Sequence, residues 1–463
     1  MSNRLRITSP IDGSVYAERD WADDATVKSA ISSAAAAQRV WRATSLDERI
    51  RILGAAVERL LARSDVIVEE LSWQMGRPIN AGGGELAGFN ERARHMLSIA
   101  PECLQDQVQP PKAGFQRWIR REPLGLVFTI APWNFPYMTA VNSVWPALAA
   151  GNAVILKHAQ QTILCGERLA EALREAGLPA GLFQALPLTH DTAARLIQHE
   201  ETRMVCFTGS VRGGRSVMRA VADGSGFPAT GLELGGKDPA YVRADADIDH
   251  AAVGLADGAF FNSGQSCCSI ERVYVDATVF DAFIERLVAE TQQLRLGNPL
   301  ARDTTLGPLV NQAAADSIRE QVQEAVTAGA QPLINPDDYS MAGGAYLPPQ
   351  ILINVDHSMR VMTEESFGPI IGVMPVSGDD EAIRLMNDSE YGLTAAIWTA
   401  DAAAAASLGD RLETGTVFMN RCDYLDPALA WTGVGRTGRG CTLSALGYEH
   451  LTRPKSFHLR IAT

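Results

Sequence analysis

The sequence predicts an α/β protein built on parallel sheets, and two features carry that prediction. Short apolar runs alternate with longer amphipathic stretches between residues 124 and 235, the pattern of βαβ units whose strands are buried on both faces. The alternation resumes after residue 240, so a second unit of the same kind is expected. The chain has 463 residues, 46% hydrophobic and 21% charged, enough for two or three globular domains.

Taken in order, residues 24–63 are rich in alanine. Ala30, Ala34, Ala37 and Val40-Trp41, then Ile52, Ala56 and Leu60, recur at helical spacing, so two amphipathic helices are expected. Helix continues over 65–100, interrupted at Gly76-Arg77-Pro78 and again at Gly82-Gly83-Gly84. Residues 116–121 alternate as a strand with a charged face. Strands follow at 124–130, 153–156, 182–186, 204–207 and 230–234, with helices at 137–150, 161–176, 190–199 and 211–222 between them. The turn Leu234-Gly235-Gly236-Lys237 separates the two halves. Beyond it come helix 247–262, strand 272–275, helix 278–294, and strands near 370–376 and 393–398 flanking helix 379–387. The tail at 448–463 alternates weakly and ends in strand-like Phe457-His458-Leu459. With the 115–121 strand it forms a candidate arm for oligomerisation.

The charge balance narrows the partners. There are 41 basic and 54 acidic residues, a net charge of −13, which disfavours phosphate backbones and anionic membranes. No apolar segment follows the N-terminal arginines, so no secretory signal is expected, and no apolar run reaches the roughly 18 residues of a membrane span. Seven cysteines, with Cys267 and Cys268 adjacent, fit neither a disulfide framework nor a zinc spacing. A reducing cytoplasm and a metal-free site are expected.

Five segments carry chemistry. Cys267 follows the turn Asn262-Ser263-Gly264-Gln265, where backbone amides stabilise a thiolate and an oxyanion alike; a buried structural thiol is the competing reading. Glu233 ends an apolar strand. Desolvation there raises its pKa toward a general base, unless a lysine or amide simply pairs with it. In Pro132-Trp133-Asn134-Phe135-Pro136 two prolines and two aromatics stiffen a loop that presents the Asn134 amide, either to an oxyanion or only to a turn. Thr208-Gly209-Ser210 opens a helix after a strand. That position suits an anion as well as a plain N-cap, with Gly213 and Gly214 allowing close approach. The usual Gly-x-Gly-x-x-Gly fingerprint is absent here. Last, Glu365-Ser366-Phe367 precedes a Gly-Pro turn, setting a carboxylate and an aromatic where ribose and a flat ring could pack, or forming an ordinary loop.

Together, in this order and spacing, these segments resemble the aldehyde dehydrogenase superfamily over nearly the whole chain. The resemblance implies a Rossmann-like cofactor domain from 1–100 and 124–235, a catalytic domain from 236–435, and a small β-arm from 101–123 and 436–463. It implies Cys267 as nucleophile, Asn134 with the Cys267 amide as oxyanion hole, and Glu233 as the base that activates water. NAD or NADP is the implied cofactor. Lys157 and Gln160 would meet its adenosine ribose, and Thr208, Gly209, Ser210 and Gly214 its pyrophosphate. Trp133, Leu234, Glu365 and Phe367 would surround the nicotinamide end. A small aldehyde substrate and a homodimer or homotetramer are also implied.

Three positions depart from the common pattern of the family. Gln160 stands where many NAD-preferring members carry glutamate. Thr442 stands where many place a glutamate near the C-terminus. Asn142 stands where typical succinic semialdehyde dehydrogenases carry arginine, which removes one expected anchor for a small carboxylated aldehyde while leaving other basic residues to serve. Tyr137, Trp145 and Trp431 are candidates for an aromatic substrate funnel or for core packing. The rival readings are a CoA-acylating relative, against which Glu233 argues, and an inactive binding protein of the same fold.

Overall fold

The computed structural model describes residues 4–461, so the outermost residues of the expected cofactor domain and arm lie outside the described residues. Two large sheets dominate. In the first, Leu126–Ala131 lies between Thr202–Thr208 and Ala153–His158. Ala229–Glu233 and Phe183–Ala185 add on either side, all parallel. In the second, Asp238–Val242 lies between Ile270–Asp276 and Thr394–Trp398, and Ile370–Val376, Gln350–Ile353 and Thr416–Met419 extend it in parallel.

The two central strands of the first sheet, Leu126–Ala131 and Ala153–His158, read as near-continuous apolar runs, the pattern of strands covered on both faces. Ala153–His158 is buried at every position. Its chain order reverses at Leu126–Ala131: the next two strands build outward on one side and the later two on the other. Loops leaving the carboxyl ends of the strands diverge at such a reversal and open a crevice, where open α/β sheets bind ligands. The chain crosses to the second sheet through residues 234–237, between Ala229–Glu233 and Asp238–Val242.

The third sheet pairs Thr452–Arg460 antiparallel with Phe115–Pro123 over nine residue pairs, with Trp118 stacked on Phe457 at 4.4 Å. Gly438 and Arg439, inside the stretch expected to belong to the arm, instead pair with Glu233 and Leu232 and close the edge of the first sheet.

Several local expectations need correction. The glycines at 82–84 do not interrupt a helix: Ile79–Leu104 is continuous, and it runs past residue 100 into the expected arm. Each glycine costs about 1 kcal/mol of helix propensity, but packing on neighbouring helices outweighs it, and a Cβ at Gly82 would strike Val68. Only the break at Gly76, left-handed at φ 81°, ends a helix. Val40 is 70% exposed rather than part of the apolar stripe. Helices Gln312–Thr327 and Ala402–Gly409 lie outside the predicted set. In contrast, Asp379–Asn387 has the predicted bounds.

Candidate active site

A cavity of about 860 Å3 opens along the carboxyl ends of the first sheet and against the start of the second. Cys267, Asn134 and Glu233 line it, with Trp133, Thr208, Gly209, Ser210, Leu234, Glu365 and Phe367. Lys157, Gln160 and Gly214 stand outside this lining. Tyr137 and Trp145 do not form a funnel; both are fully buried and meet Phe89 edge-on in the core. Trp431 does line the cavity.

The turn before Cys267 is backbone-strained. Asn262, Ser263 and Gly264 take φ of 54°, 59° and 70°, a left-handed run that L side chains resist. Side chains hold it: Ser263 Oγ donates to Gly307 O at 2.8 Å, and Asn262 Nδ2 donates to Gln265 O at 3.1 Å. Gln265 donates to Asn262 O at 3.0 Å and accepts from Val310 N at 2.8 Å. Gly264 is required twice over, by its φ and because a Cβ would collide with the Gly368 carbonyl. Cys267 emerges half-buried at the cavity wall. Its neighbour Cys268 is buried, donates to Asp423 at 2.8 Å, and has its thiol pKa pushed up by the adjacent Cys267 and by burial.

Asn134 sits in the loop between Leu126–Ala131 and the helix Pro136–Ala149, and its Nδ2 donates to Gln265 O at 3.3 Å. Glu233 closes its strand between two hydroxyls: Thr208 Oγ1 donates at 2.8 Å and Thr442 Oγ1 at 2.6 Å. Burial raises its carboxyl pKa, and these hydrogen bonds oppose the shift only in part.

The remaining residues frame a second end of the site. Ser210 caps helix Val211–Asp223 by accepting from Gly213 N at 3.2 Å. Gly214 lets that helix close on Leu234, which a Cβ would meet at 2.8 Å. Lys157 lies next to the end of the Ala153–His158 strand, buried, its pKa lowered by desolvation, and among the described residues no carboxylate pairs with it. Gln160 is exposed and donates to Arg6 O at 3.1 Å. Trp133 meets Phe367 edge-on at 5.6 Å. Glu365 accepts from Gly236 N at 3.1 Å, and a Cβ on Gly235 would run into its carboxylate.

Burial lifts the Glu365 pKa from 4.5 to about 8. The folded protein therefore keeps a proton that the unfolded chain releases, and this group's effect on stability turns unfavourable as pH rises from about 4.5 to about 8. Glu365→Gln is expected to gain melting temperature over the parent as pH goes from 6 to 9. The gain is about 1–3 °C, taking roughly 2.1 cal/mol/K of unfolding entropy per residue. Thermal melts of the cofactor-free protein read it, and a difference that does not change with pH would remove this role for burial.

Two supports were missed by sequence reasoning. Arg77 is buried and ion-pairs with Glu85, donates to the Asn134 carbonyl and to Asn262 Oδ1 (3.2 Å), and lies 4.6 Å over the Phe135 ring. It ties the asparagine loop to the cysteine turn. Lys237 and Glu271 pair at 2.6 Å in the core, and Glu271 accepts from Ser366 N and Phe367 N at 2.9 Å each. The available signal was charge inside apolar sequence: Glu271-Arg272 in a strand, and Arg77 in a helix break.

The sequence pattern of the aldehyde dehydrogenase family matches residues 1–457. The chain is 33% identical to the succinate semialdehyde dehydrogenase [NAD(P)+] Sad of Escherichia coli, over 95% of this chain and 94% of that one. It is 34% identical to the 3,6-anhydro-alpha-L-galactose dehydrogenase of Streptomyces coelicolor, over 99% and 93%. Among solved structures, PnpE from a Pseudomonas species in complex with nicotinamide adenine dinucleotide superposes with a TM-score of 0.95 at 31% identity, covering 99% of this chain and 95% of that one. The NADP-dependent glyceraldehyde-3-phosphate dehydrogenase of Bacillus halodurans, complexed with NADP, gives 0.93 at 31% identity, covering 100% and 96%. The protein belongs to the aldehyde dehydrogenase family.

Proposed function

We propose that the protein oxidises a small aldehyde, such as a semialdehyde, to its carboxylic acid through a thioester on Cys267 that water hydrolyses. It is an NAD(P)-dependent aldehyde dehydrogenase. What supports the route is the convergence of the Cys267 thiol, the Asn134 amide and a buried Glu233 on one cavity.

The residues of the second end suit the cofactor. Lys157 is buried and, among the described residues, pairs with no carboxylate, which suits it to the adenosine ribose. The helix opened by Ser210 suits the pyrophosphate, and Glu365 with Phe367 suits the nicotinamide ribose. Bound NAD(P)+ supplies the acceptor for the hydride that leaves the Cys267-bound carbon. The thiolate adds to the aldehyde carbon, and the resulting oxyanion is met by Asn134 and the Cys267 amide. Loss of hydride leaves a thioester. Glu233 swings from its two threonines, takes a proton from water, and the hydroxide releases the acid and the thiol.

An aldehyde panel with NAD+ and NADP+, followed by absorbance and run without CoA, tests the reading. Reduced cofactor and free acid are expected. A strict need for CoA would favour the acylating chemistry, and no reduction with any aldehyde would refute the reading.

At position 160, Gln160→Glu places a negative charge near the ribose 2′ position. The ratio of kcat/KM for NADP+ over NAD+ is expected to fall about tenfold or more, since 1.4 kcal/mol of like-charge repulsion suffices for that factor. An unchanged ratio would take this residue away from the ribose.

Among the described residues, positions 452–459 pair with a strand on one side only, and such an edge templates pairing with another chain. A homodimer or homotetramer built on it is the proposed assembly. Among the described residues no helix is long and apolar enough to cross a membrane. All seven cysteines are free, which suits the cytoplasm.

A further inference from the structure

The cavity holds a cation that the chemistry above does not use. Arg92 projects from the Ile79–Leu104 helix, is 8% exposed, and lines the cavity beside Asn142, Trp431 and Asp423. Its Nη1 donates to Met138 O at 2.8 Å and reaches the Asn142 Oδ1 at 3.4 Å. Among the described residues no acceptor engages its Nε or Nη2, and no carboxylate ion-pairs with it.

The carboxyls whose charge it feels are already occupied. Glu85 pairs with Arg77 and accepts from the amides of Tyr137 and Met138. Asp423 accepts from Ser266 and Cys268. Glu233 lies between its two threonines. A guanidinium carries five donors in a planar fork. The remaining donors of Arg92 open onto the cavity and are not sealed in the core, where the acceptors of a ligand can complete them.

Position matters as much as charge. The guanidinium arrives from one helix at the side chain of Asn142 on another, and both line the cavity. Gly84 and Gly88 line the same wall. A Cβ at Gly88 would strike Met138, whereas Gly84 faces open space. One guanidinium matches one carboxylate through two parallel hydrogen bonds. A dianionic phosphate would bring a second charge toward Asp257 and Asp423, both in the lining.

We propose that Arg92 determines specificity by gripping a carboxylate at the far end of the substrate, so that the preferred substrates are short aldehydes ending in a carboxylate. The proposal rests on the Cys267 reading of the site.

The test compares 4-oxobutanoate with butanal, which share a carbon chain and differ in the charged end. With the full-length protein and NAD(P)+, kcat/KM is expected to favour 4-oxobutanoate by about 30-fold or more. Arg92→Met is expected to lower that preference by about 30-fold or more, the scale for removing one partner of a buried charge pair. Arg92→Lys is expected to give an intermediate preference, carried mostly by KM. Equal losses for both substrates would make Arg92 a support for Cys267 and overturn the proposal.

Should the variants not fold, the parent protein still decides. Butanoate is expected to inhibit competitively against 4-oxobutanoate while butanamide does not, and equal inhibition by the two overturns the proposal. Oxidation of butanal with no advantage for the carboxylate overturns the Arg92 assignment alone. Absence of reduced cofactor with both aldehydes would instead bring down the Cys267 reading, and the proposal with it.

Discussion

Cys267→Ala is expected to abolish aldehyde-dependent reduction of NAD(P)+, by roughly 10^4-fold or more, while cofactor binding survives. The scale is that of removing a nucleophile from a site whose members act as a unit. The change removes one sulfur from a half-buried position, and the turn that presents it is held by Asn262, Ser263 and Gln265. The fold and the helix opened by Ser210 should therefore persist. Absorbance at saturating cofactor measures the loss, and calorimetric titration with NAD+ or NADP+ measures the binding. Cys268→Ala provides the contrast. That thiol is buried, bonded to Asp423 and raised in pKa, so the variant should retain dehydrogenase activity. If the first variant kept a tenth of the parental rate, the thioester route would be excluded.

Glu233→Gln is expected to release close to one equivalent of reduced cofactor per active site and then slow by roughly 10^2- to 10^4-fold, the usual span for losing a general base. The amide can still accept from Thr208 or Thr442, so the pocket around it should hold its shape. The sign of the pH dependence follows from the working form. Only the carboxylate accepts a proton from water, and burial holds its pKa above the ordinary value. Parental deacylation should therefore rise with pH through that elevated pKa and then level off. The variant should lack this rise. Stopped-flow absorbance separates the burst from the slow phase, and a linear trace at the parental rate would remove Glu233 as the base.

Arg77 and Glu271 suggest why such a site is stable enough to work. A run of left-handed residues before the cysteine costs on the order of 1–3 kcal/mol per strained position. The side chains that brace the site around it come from elements far apart in the chain. Arg77 and Asn262 are 185 residues apart, and Lys237 and Ser366 are 129 apart. Each pair is buried and hydrogen-bonded, the condition under which a buried charge is tolerated.

Much of the architecture could be read from the residues. Alternating apolar runs and helical stripes placed the strands of the first sheet, and the bounds of Asp379–Asn387 were predicted outright. The Gly-rich turn at 234–237 marked the crossing between sheets because glycine tolerates close approach, here against Glu365. Other features misled for the same local reason. Three consecutive glycines looked like a break, yet tertiary packing kept the helix intact. Tyr137 and Trp145 looked like funnel aromatics, since an aromatic side chain in sequence carries no sign of which way it faces.

The sequence alone determined the alternation of strands and helices, the loops that carry the reactive residue types, and the chemistry those types permit. These depend on neighbours two to four positions apart, and that spacing is written in the chain. Tertiary structure decided that Thr442 would bond Glu233 from 209 residues away, that Arg77 would bind two loops together, and that Arg92 would enter the cavity with donors to spare. Such meetings depend on how whole elements pack. A side chain's direction is set there by partners that no local pattern names.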